Sequence, residues 1–422
     1  MMKTTFRKDW QYYKFCIYGF LKNQRFFEPF LILIFLHDKG LDFTQIGTLY
    51  SIRLVLRSLF EIPSGVAADV LGRRGTMLFA YAFYMVSFAA YYLAETFAWL
   101  IVPSILFAVG DAFRTGTHKA MIFEYLKRNH WQDQKVAYYG HTRSWSQVGS
   151  AISSLLAALI VLFSKSYNPV FLFSLLPYTL GFILLATYPS YLEGTGTNTG
   201  KKHSLREDFV RVIRESVQSL RKLSNLRLTF NVASHSGYYN AVKDYLQIIV
   251  SMAALSIPLV LPFEKTSNEK ETVLIGLVYF VLYFITAAAS RYTGKINSRF
   301  RSTYNYLNFL LLAGLLAGLG AGIFYQYKLF TPAVLLFIGI LTIENLRRPA
   351  GVAAIADNFH EGILASVLSA ESQLSSVIGA GLSLLIGFLA DKLNPGYALS
   401  AASLLIILLF PVLRIKEKGK TE

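Results

Sequence analysis

Twelve long apolar segments constrain this 422-residue chain more than any other feature. Each has about 20 residues or more, which is the length that an α-helix needs to cross the hydrocarbon core of a bilayer. The sequence therefore predicts an all-α polytopic membrane protein with twelve transmembrane helices. The predicted spans are residues 11–36, 44–64, 75–94, 98–126, 137–163, 170–190, 227–261, 272–290, 304–326, 331–356, 363–390 and 396–413.

Composition agrees with a chain whose main partner is the lipid bilayer. Hydrophobic residues make up 54% of the sequence and charged residues only 16%, against about a quarter charged in soluble domains. The single Cys16 excludes a disulfide framework and a thiolate metal cluster. Lys22, Arg25 and Glu28 interrupt the first apolar run and no small-residue cleavage site follows, so we do not expect a removable signal peptide.

The distribution of Lys and Arg predicts the orientation of the chain. If the N-terminus is cytoplasmic, the inner segments hold 24 basic residues and the outer loops hold six. Basic residues in short loops are retained on the cytoplasmic side, so we expect both termini inside a multi-pass protein of the cytoplasmic membrane. These basic loops account for the net charge of +16, and we expect no nucleic-acid partner.

Charged residues avoid every third span. Spans 3, 6, 9 and 12 have no charge in their interiors, whereas spans 1, 2, 4, 5, 7, 10 and 11 do. A charge that faces lipid is costly, so only the charge-free helices are free to face lipid. The charged helices are expected to face protein or a water-filled cavity.

The stretch EIPSGVAADVLGRRG, residues 61–75, lies between the second and third spans and is expected to be a short cytoplasmic loop. It resembles the signature of the loop between helices 2 and 3 in the major facilitator superfamily, although the position after its Asp, usually basic, is Val70 here. The signature Gly-x-x-x-Asp-x-x-Gly-Arg-Arg is read at Gly65, Asp69, Gly72, Arg73 and Arg74.

This resemblance implies two pseudo-symmetric six-helix bundles. In the family, helices 1, 4, 7 and 10 line the cavity and helices 3, 6, 9 and 12 lie outside, which agrees with the period of three in the charges. The resemblance also gives Asp69 a conformational role, near the start of span 11 at about residues 362–365, where free amide groups favour an anion.

An internal repeat supports two halves. A shift of 233 residues lays 111–124 of span 4 on 344–357 of span 10. We expect an N-terminal bundle at 1–191, a cytoplasmic linker at 192–226 and a C-terminal bundle at 227–422, with the substrate site between the halves. The linker pattern fits either an amphipathic helix on the membrane surface or a solvated connection. The matched charged pairs are Asp111 with Glu344, Arg114 with Arg347, and Glu124 with Asp357.

Ion pairs within the spans are the candidate sites. Arg25 and Glu28 are three residues apart, Asp111, Arg114 and His118 are expected on one face of span 4, and Glu344 is expected to hold Arg347. Each pair could be structural or could bind substrate, and a carboxylate beside an Arg suits a proton-coupling role. The candidates are Arg25, Glu28, Asp111, Arg114, His118, Arg143, Asp244, Glu344, Arg347 and Glu371.

The charge balance inside the spans favours an anionic substrate. Eleven basic residues face seven acidic ones, and guanidinium groups stay ionised and bind carboxylate or phosphate with two hydrogen bonds. Lys14 and Lys119 could instead snorkel to the surface. The aromatic pairs Phe26–Phe27 and Tyr238–Tyr239 could line a site for amphipathic drugs, although packing is the commoner role.

No catalytic motif is visible: the sequence has no phosphate-binding loop, HExxH, nucleophile elbow or Cys/His cluster. We therefore expect no enzyme activity, no cofactor and no metal. The prediction is a monomeric secondary transporter of a small organic anion that works by alternating access, with protons as a candidate coupling ion. A proton-linked drug exporter and a transporter-like solute sensor are the alternatives; a sensor would be favoured by a long soluble domain, and the 422 residues contain no stretch of that kind.

Overall fold

The computed structural model describes residues 8–70, 72–115, 117–131, 135–193, 223–256, 267–359 and 361–416. Within these ranges the chain is helical, with turns and no strand. It divides into two compact units, each built from three segments. Unit 1 comprises Met1–Leu41, Ile52–Asn198 and Ile257–Phe284, and unit 2 comprises Asp42–Ser51, Thr199–Ser256 and Ile285–Glu422. The bundles predicted above are continuous in sequence, whereas each unit combines three segments; the bundle boundaries stay a prediction.

The described ranges contain fourteen α-helices of three turns or more. The helices, in chain order, are α1 Trp10–Leu21, α2 Phe43–Val70, α3 Gly72–Leu93, α4 Phe97–Arg114, α5 Thr117–Arg128, α6 Lys135–Ser164, α7 Pro169–Ala186, α8 Leu223–Val242, α9 Leu246–Ser256, α10 Ser267–Asn297, α11 Thr303–Gln326, α12 Phe330–Asn358, α13 Glu361–Lys392 and α14 Pro395–Leu413. Unit 1 holds α1, α3 to α7 and parts of α2 and α10; unit 2 holds α8, α9, α11 to α14 and the remainder of α2 and α10.

Among the described residues, nine helical spans are long and apolar enough to cross a membrane. They correspond to predicted spans 3 to 6 and 8 to 12. The other three predicted spans contain helices but do not meet this criterion. Span 1 is broken after α1, and span 7 is broken between α8 and α9. Span 2 carries Arg53, Arg57 and Glu61 within α2.

Three predicted spans are not the continuous helices that we expected. The first breaks at residues 22–27 and resumes as a 3-10 turn Glu28–Phe30, one α-turn Leu31–Leu33 and a π-helical turn Ile34–Asp38. Pro29 contributes to this break because it has no N–H to donate to the preceding turn. The fourth span breaks where the backbone of Thr115 becomes extended, and the seventh breaks at a 3-10 turn, Lys243–Tyr245.

The prediction of a short loop at residues 61–75 is also wrong. Helix α2 continues through Pro63 to Val70 and α3 begins at Gly72, so the signature residues lie at two helix ends. Gly72 has a φ of +76°, a left-handed conformation that glycine adopts without a steric penalty. Pro63 is accommodated inside the helix because transmembrane helices tolerate proline where neighbours satisfy the freed carbonyl.

Close packing of α1 against α6 creates the setting of the main polar site in unit 1. A Cβ at Gly149 of α6 would lie 2.6 Å from the carbonyl oxygen of Phe20 in α1. Only glycine permits this approach, which brings the end of α1 beside the polar face of α6. Asn23, just after α1, donates to the carbonyl oxygen of Ser146 at 2.7 Å and to the Ser150 hydroxyl at 2.8 Å.

Candidate substrate and coupling sites

Arg25 lies at the break in the first span and is the centre of a polar cluster in unit 1. Its Nε donates to the Tyr178 hydroxyl at 2.7 Å, and its Nη2 donates to the Tyr84 hydroxyl at 3.1 Å. Its guanidinium also forms ion pairs with Glu28 at 3.3 Å and with Asp111 at 3.2 Å. The break therefore places Arg25 where its planar guanidinium group donates to four side chains.

Asp111 on α4 is shared by two arginines. Besides the contact with Arg25, one Oδ accepts from Arg114 Nη2 at 3.3 Å and from the Tyr84 hydroxyl. Arg114 Nε donates to the same Tyr84 hydroxyl at 2.9 Å. Two guanidinium groups thus converge on one carboxylate, and the local charge around Asp111 is positive.

A pocket of about 90 Å³, partly open to solvent, lies beside this cluster in unit 1, between α1, α4, α5 and α6. Its lining is basic: Lys22, Arg114, His118, Lys119 and Arg143 surround it. None of the residues that the structure places around it carries a carboxylate. Arg114 belongs to both the cluster and the pocket.

Three of the pocket cations form no ion pair with another described residue. Within the described ranges, no carboxylate lies within ion-pair distance of Lys22, Lys119 or Arg143. Lys22 lies 5.9 Å from the centre of the Tyr18 ring, and Lys119 lies 5.6 Å from that of Tyr139. Cation–π contacts of this kind stabilise a cation but leave its charge uncompensated.

His118 lines the same pocket, but it does not lie on the helix of Asp111 and Arg114 as we expected. The helix that carries Asp111 and Arg114 ends at Arg114, and His118 belongs to the next helix, α5. The helical spacing from Arg114 to His118 therefore does not apply. The His118 ring stacks on Tyr18 with centroids 3.7 Å apart, and its Nε2 lies 3.2 Å from the Tyr188 hydroxyl.

Unit 2 contains a second polar cluster around Glu344 on α12. Glu344 Oε2 lies 2.7 Å from Nδ1 of His235, and Oε1 accepts from the Ser236 hydroxyl at 2.7 Å. His235 and Ser236 are neighbours on α8. The expected pair of Glu344 with Arg347 does not form, because both oxygens of Glu344 are directed to α8.

Arg347 and Arg348 have separate partners. Arg347 is only 2% exposed and donates to the carbonyl oxygens of Leu307 and Asn231 and, at 3.0 Å, to Asn231 Oδ1. Arg348 forms an ion pair with Glu371 on α13 at 3.1 Å and donates to the Ser236 hydroxyl at 3.3 Å. Arg347 is thus a buried cross-link between helices, whereas the Arg348 side chain is 43% exposed.

The signature arginines bind neighbouring parts of unit 1. Arg73 lies 3.7 Å from Glu124 on α5 and donates to the carbonyl oxygen of Ala120 at 3.3 Å, and Arg74 donates to the carbonyl oxygen of Tyr188 at 3.0 Å. The side chain of Asp69 lies outside the described residues, as do those at 361–366. The predicted contact of Asp69 with the start of span 11 therefore stays a prediction, as does the linker helix, since 194–222 are not described either.

Two further candidates, Asp244 and Arg143, lie apart from these clusters. Asp244 lies in the 3-10 turn between α8 and α9, and Arg143 is an exposed residue of the unit 1 pocket.

Some residues of the two clusters were not predicted from the sequence. The charge-free spans 3 and 6 contribute the hydroxyls that join the unit 1 cluster, and a pattern of charged residues does not indicate them. The missed residues are Lys22, Tyr84, Tyr178 and His235; for His235, the polar run Asn231 to Ser236 within an apolar span was a usable signal.

Comparison with known proteins places the chain in a family. The family model described as Major Facilitator Superfamily matches residues 23–370, which is more than half of the chain. The chain belongs to the major facilitator superfamily. The prediction from the signature is thereby confirmed, and with it the prediction of an all-α polytopic transporter fold.

Relatives and solved structures within the superfamily agree. The chain is 22% identical over 391 residues to the uncharacterized MFS-type transporter YxaM of Bacillus subtilis (strain 168), covering 92% of this chain and 90% of that protein. It is 29% identical to the hexuronate transporter of the same organism over 125 residues, covering 29% and 28% of the two chains.

Two solved structures share the fold at low sequence identity. The nucleoside transporter NupG matches with a TM-score of 0.71 at 11% identity, over 98% of this chain and all of that chain. A D-xylose-proton symporter matches with a TM-score of 0.68 at 14% identity, covering 98% and 99% of the two chains. These likenesses concern the fold alone.

Proposed function

We propose that this superfamily member is a secondary transporter that moves a small organic anion across the cytoplasmic membrane by alternating access. The single observation that carries this proposal is the unit 1 pocket, where Lys22, Lys119 and Arg143 form no ion pair with a carboxylate of the described residues. Cations held close together without a carboxylate partner repel one another, and an anion between them relieves that repulsion.

The geometry favours a carboxylate or phosphate group as the anionic part. Arg114 holds Asp111 through Nη2, and Asp111 keeps Arg25 as a second partner. Arg114 can therefore turn towards an incoming anion without leaving Asp111 uncompensated. Guanidinium groups bind planar oxyanions with two parallel hydrogen bonds, which orients the substrate as well as attracting it. The aromatic rings of Phe15, Tyr18 and Tyr139 in the same pocket suit a compact organic body.

One relative's name is consistent with this substrate class. The hexuronate transporter acts, by its name, on a sugar acid, which is a carboxylate anion, and its similarity covers 29% of this chain. That similarity supports an organic anion as the first class to test.

The proposal includes the remaining expectations from the sequence. The protein works as a monomer with both termini cytoplasmic, moves its substrate without altering it chemically, and is organised as bundles 1–191 and 227–422 joined by 192–226. Asp69 acts on the rate of conformational cycling and not on substrate affinity.

Uptake into proteoliposomes tests the proposal. The panel contains glucuronate, succinate and benzoate as anions, glucose as a neutral solute and ethidium as a cationic drug. We expect saturable uptake of at least one anion and a tenfold or greater rise in its KM in Arg143→Gln and in Lys22→Gln. Lys392→Gln, which removes an exposed lysine outside the pocket, is the matched control and should behave as wild type.

Two outcomes would overturn this assignment. Transport of ethidium with no anion transported would favour a drug exporter, the alternative raised by the aromatic residues. Anion uptake that is unchanged in both pocket variants would show that the pocket is not the substrate site.

A further inference from the structure

We propose that Arg53 and Arg57 on α2 form a second anion-binding subsite in unit 1, which binds the second acid group of a dianionic substrate. This inference rests on the proposed transport of an organic anion, and it narrows the substrate to molecules with two acid groups. Both arginines belong to unit 1, as does the pocket, but neither of them lines that pocket.

The two arginines lie in the middle of a predicted membrane span. Helix α2 has 28 residues, and Arg53 and Arg57 lie about 15 and 21 Å from its first residue, Phe43, at a rise of about 1.5 Å per residue. The whole helix is about 42 Å long on the same scale. An arginine this far from both ends does not reach a membrane surface readily, so its charge must face protein or a water-filled cavity.

The arginine face of α2 is turned towards α4. On the opposite face, Val55 is 39% exposed and Leu59 is 62% exposed. Each of them follows one of the arginines by two positions, which is about 200° around a helix. The guanidinium carbon of Arg53 lies 4.1 Å from the centre of the Phe107 ring on α4, and Phe107 is buried. The apolar face is therefore the one free to face lipid.

Both guanidinium groups keep their N–H groups available. Within the described residues, neither Arg53 nor Arg57 donates a hydrogen bond or lies within ion-pair distance of a carboxylate. The contact with Phe107 uses the flat face of the Arg53 guanidinium, whereas its N–H groups point outwards in the plane. The two cations also lie one turn apart on one helix face, where like charges destabilise each other. An oxyanion bound to both accepts these N–H groups and removes that repulsion.

The charge balance beside the Asp111 carboxylate favours a second acid group. Arg25 also lies over the Phe107 ring, with its guanidinium carbon 5.1 Å from the ring centre. The cluster and the arginine face of α2 thus contain Arg25, Arg53, Arg57 and Arg114 with the carboxylates Asp111 and Glu28. Cations exceed carboxylates here as they do in the pocket. A substrate with one acid group compensates only one of these two regions.

Helix α4 sets the spacing between the two subsites. Phe107, which contacts Arg53, and Arg114, which lines the pocket, lie two turns apart on this helix, or about 10 Å. Asp111 lies between them and pairs with both Arg25 and Arg114. A compact molecule with an acid group at each end can therefore contact both subsites, whereas a single carboxylate or an inorganic anion occupies one of them.

Ligand-dependent melting of the purified protein tests the subsite without transport, because a bound ligand raises the melting temperature. The probes are adipate and suberate, each paired with its monomethyl ester, which carries one charge fewer. We expect at least one diacid to have a dissociation constant about tenfold lower than that of its ester in wild type. In Arg53→Gln/Arg57→Gln the diacid should bind no better than the ester, while the affinity for the ester is unchanged.

Arg301→Gln, which removes an exposed arginine outside α2, is the matched control and should keep the wild-type preference for the diacid. A wild-type preference that persists in the folded Gln double variant would overturn the subsite. If the Gln double variant does not fold, Arg53→Lys/Arg57→Lys takes its place. Lysine keeps both charges but loses the parallel hydrogen bonds of a guanidinium, so we expect the preference to fall at least threefold. An unchanged preference in the Lys variant would then show the proposal to be wrong.

Further arms of the same experiment separate this inference from the proposed function. If glucuronate, succinate or benzoate stabilises wild type and Lys22→Gln weakens that effect, but neither diacid is preferred over its ester, the proposed function stands and the second subsite is refuted. If none of these anions, diacids included, stabilises wild type, the proposed function is refuted as well. An ester that binds as tightly as its diacid once inorganic phosphate is added would show that a separate anion occupies Arg53 and Arg57, and would refute the dianionic substrate.

Discussion

Arg114 in unit 1 and Arg347 in unit 2 occupy matched positions in the internal repeat, but their surroundings differ. Arg114 has a side chain that is 21% exposed, lines a pocket and shares Asp111 with Arg25. Arg347 is 2% exposed and binds oxygen atoms of α8 and α11. One arginine can exchange its partner for a ligand, and the other is fixed in the packing between helices.

The carboxylates that precede them in each half explain the difference. Asp111 has two cations to satisfy, so unit 1 carries excess positive charge next to open space. Glu344 is satisfied by His235 and Ser236, so Arg347 must find neutral acceptors inside the protein. The matched halves therefore use their charges differently: unit 1 keeps cations beside a pocket, and unit 2 fixes its arginine in the packing between helices.

The largest expected effect comes from removing the fixed arginine. Arg347→Ala leaves the Asn231 side-chain oxygen without the donor that Arg347 supplies, removes the additional hydrogen bonds to the carbonyl oxygens of Leu307 and Asn231, and opens a cavity. Each unsatisfied buried group costs on the order of 1–3 kcal/mol, so we expect a loss of about 3–5 kcal/mol and little folded protein. Thermal unfolding followed by size-exclusion chromatography measures this, and a variant with wild-type melting would place Arg347 in a substrate role after all.

The next effect concerns the packing around His235. Gly314→Ala places a methyl group in contact with Nε2 of His235 and should displace the ring from Glu344. Overpacking of this kind typically costs about 1–3 kcal/mol. We therefore expect a lower melting temperature. Gly339→Ala on α12, where an added Cβ meets nothing within 4 Å, is the control and should leave the melting temperature unchanged.

A smaller effect on stability, but a clear one on affinity, is expected for the accessible arginine. Arg114→Gln leaves Asp111 paired with Arg25, so the protein should remain folded. The KM for the transported anion should rise about tenfold, which corresponds to about 1.4 kcal/mol of lost binding. Uptake kinetics and melting temperature together give the answer, and a variant that unfolds while retaining its KM would reverse the assigned roles. A charge swap between Asp111 and Arg114 would be harder to interpret, because it would bring two arginines together at Arg25.

The smallest expected effect is that of a single hydroxyl in the unit 1 cluster. Tyr84→Phe removes the oxygen that accepts from Arg25 and Arg114 and donates to Asp111. The ion pairs remain, so we expect a loss of about 1 kcal/mol in stability and a modest change in KM. Tyr178→Phe, which loses its contacts with Arg25 and with the Lys22 carbonyl, is the matched comparison. A tenfold loss of affinity in Tyr84→Phe alone would give that hydroxyl a direct part in binding.

The sequence by itself determined the membrane fold, the family and the local ion pairs. Apolar segments of about 20 residues leave few structural choices in a bilayer, and the signature from Gly65 to Arg74 is a contiguous motif. Arg25 with Glu28 and Asp111 with Arg114 were predictable because side chains three residues apart lie close together when the backbone forms a single turn, whether within a helix or at its end.

Only the tertiary structure decided which residues form the sites. Arg25 meets Asp111 across 86 positions and His235 meets Glu344 across 109, and no local spacing encodes such contacts. Arg25, at the break in the first span, contacts Asp111 on α4. Glu344 contacts His235, and Arg347 binds carbonyl oxygens instead of Glu344. Partner choice among buried polar groups depends on which helices pack together, because each group must find its acceptor within the few angstroms that packing allows.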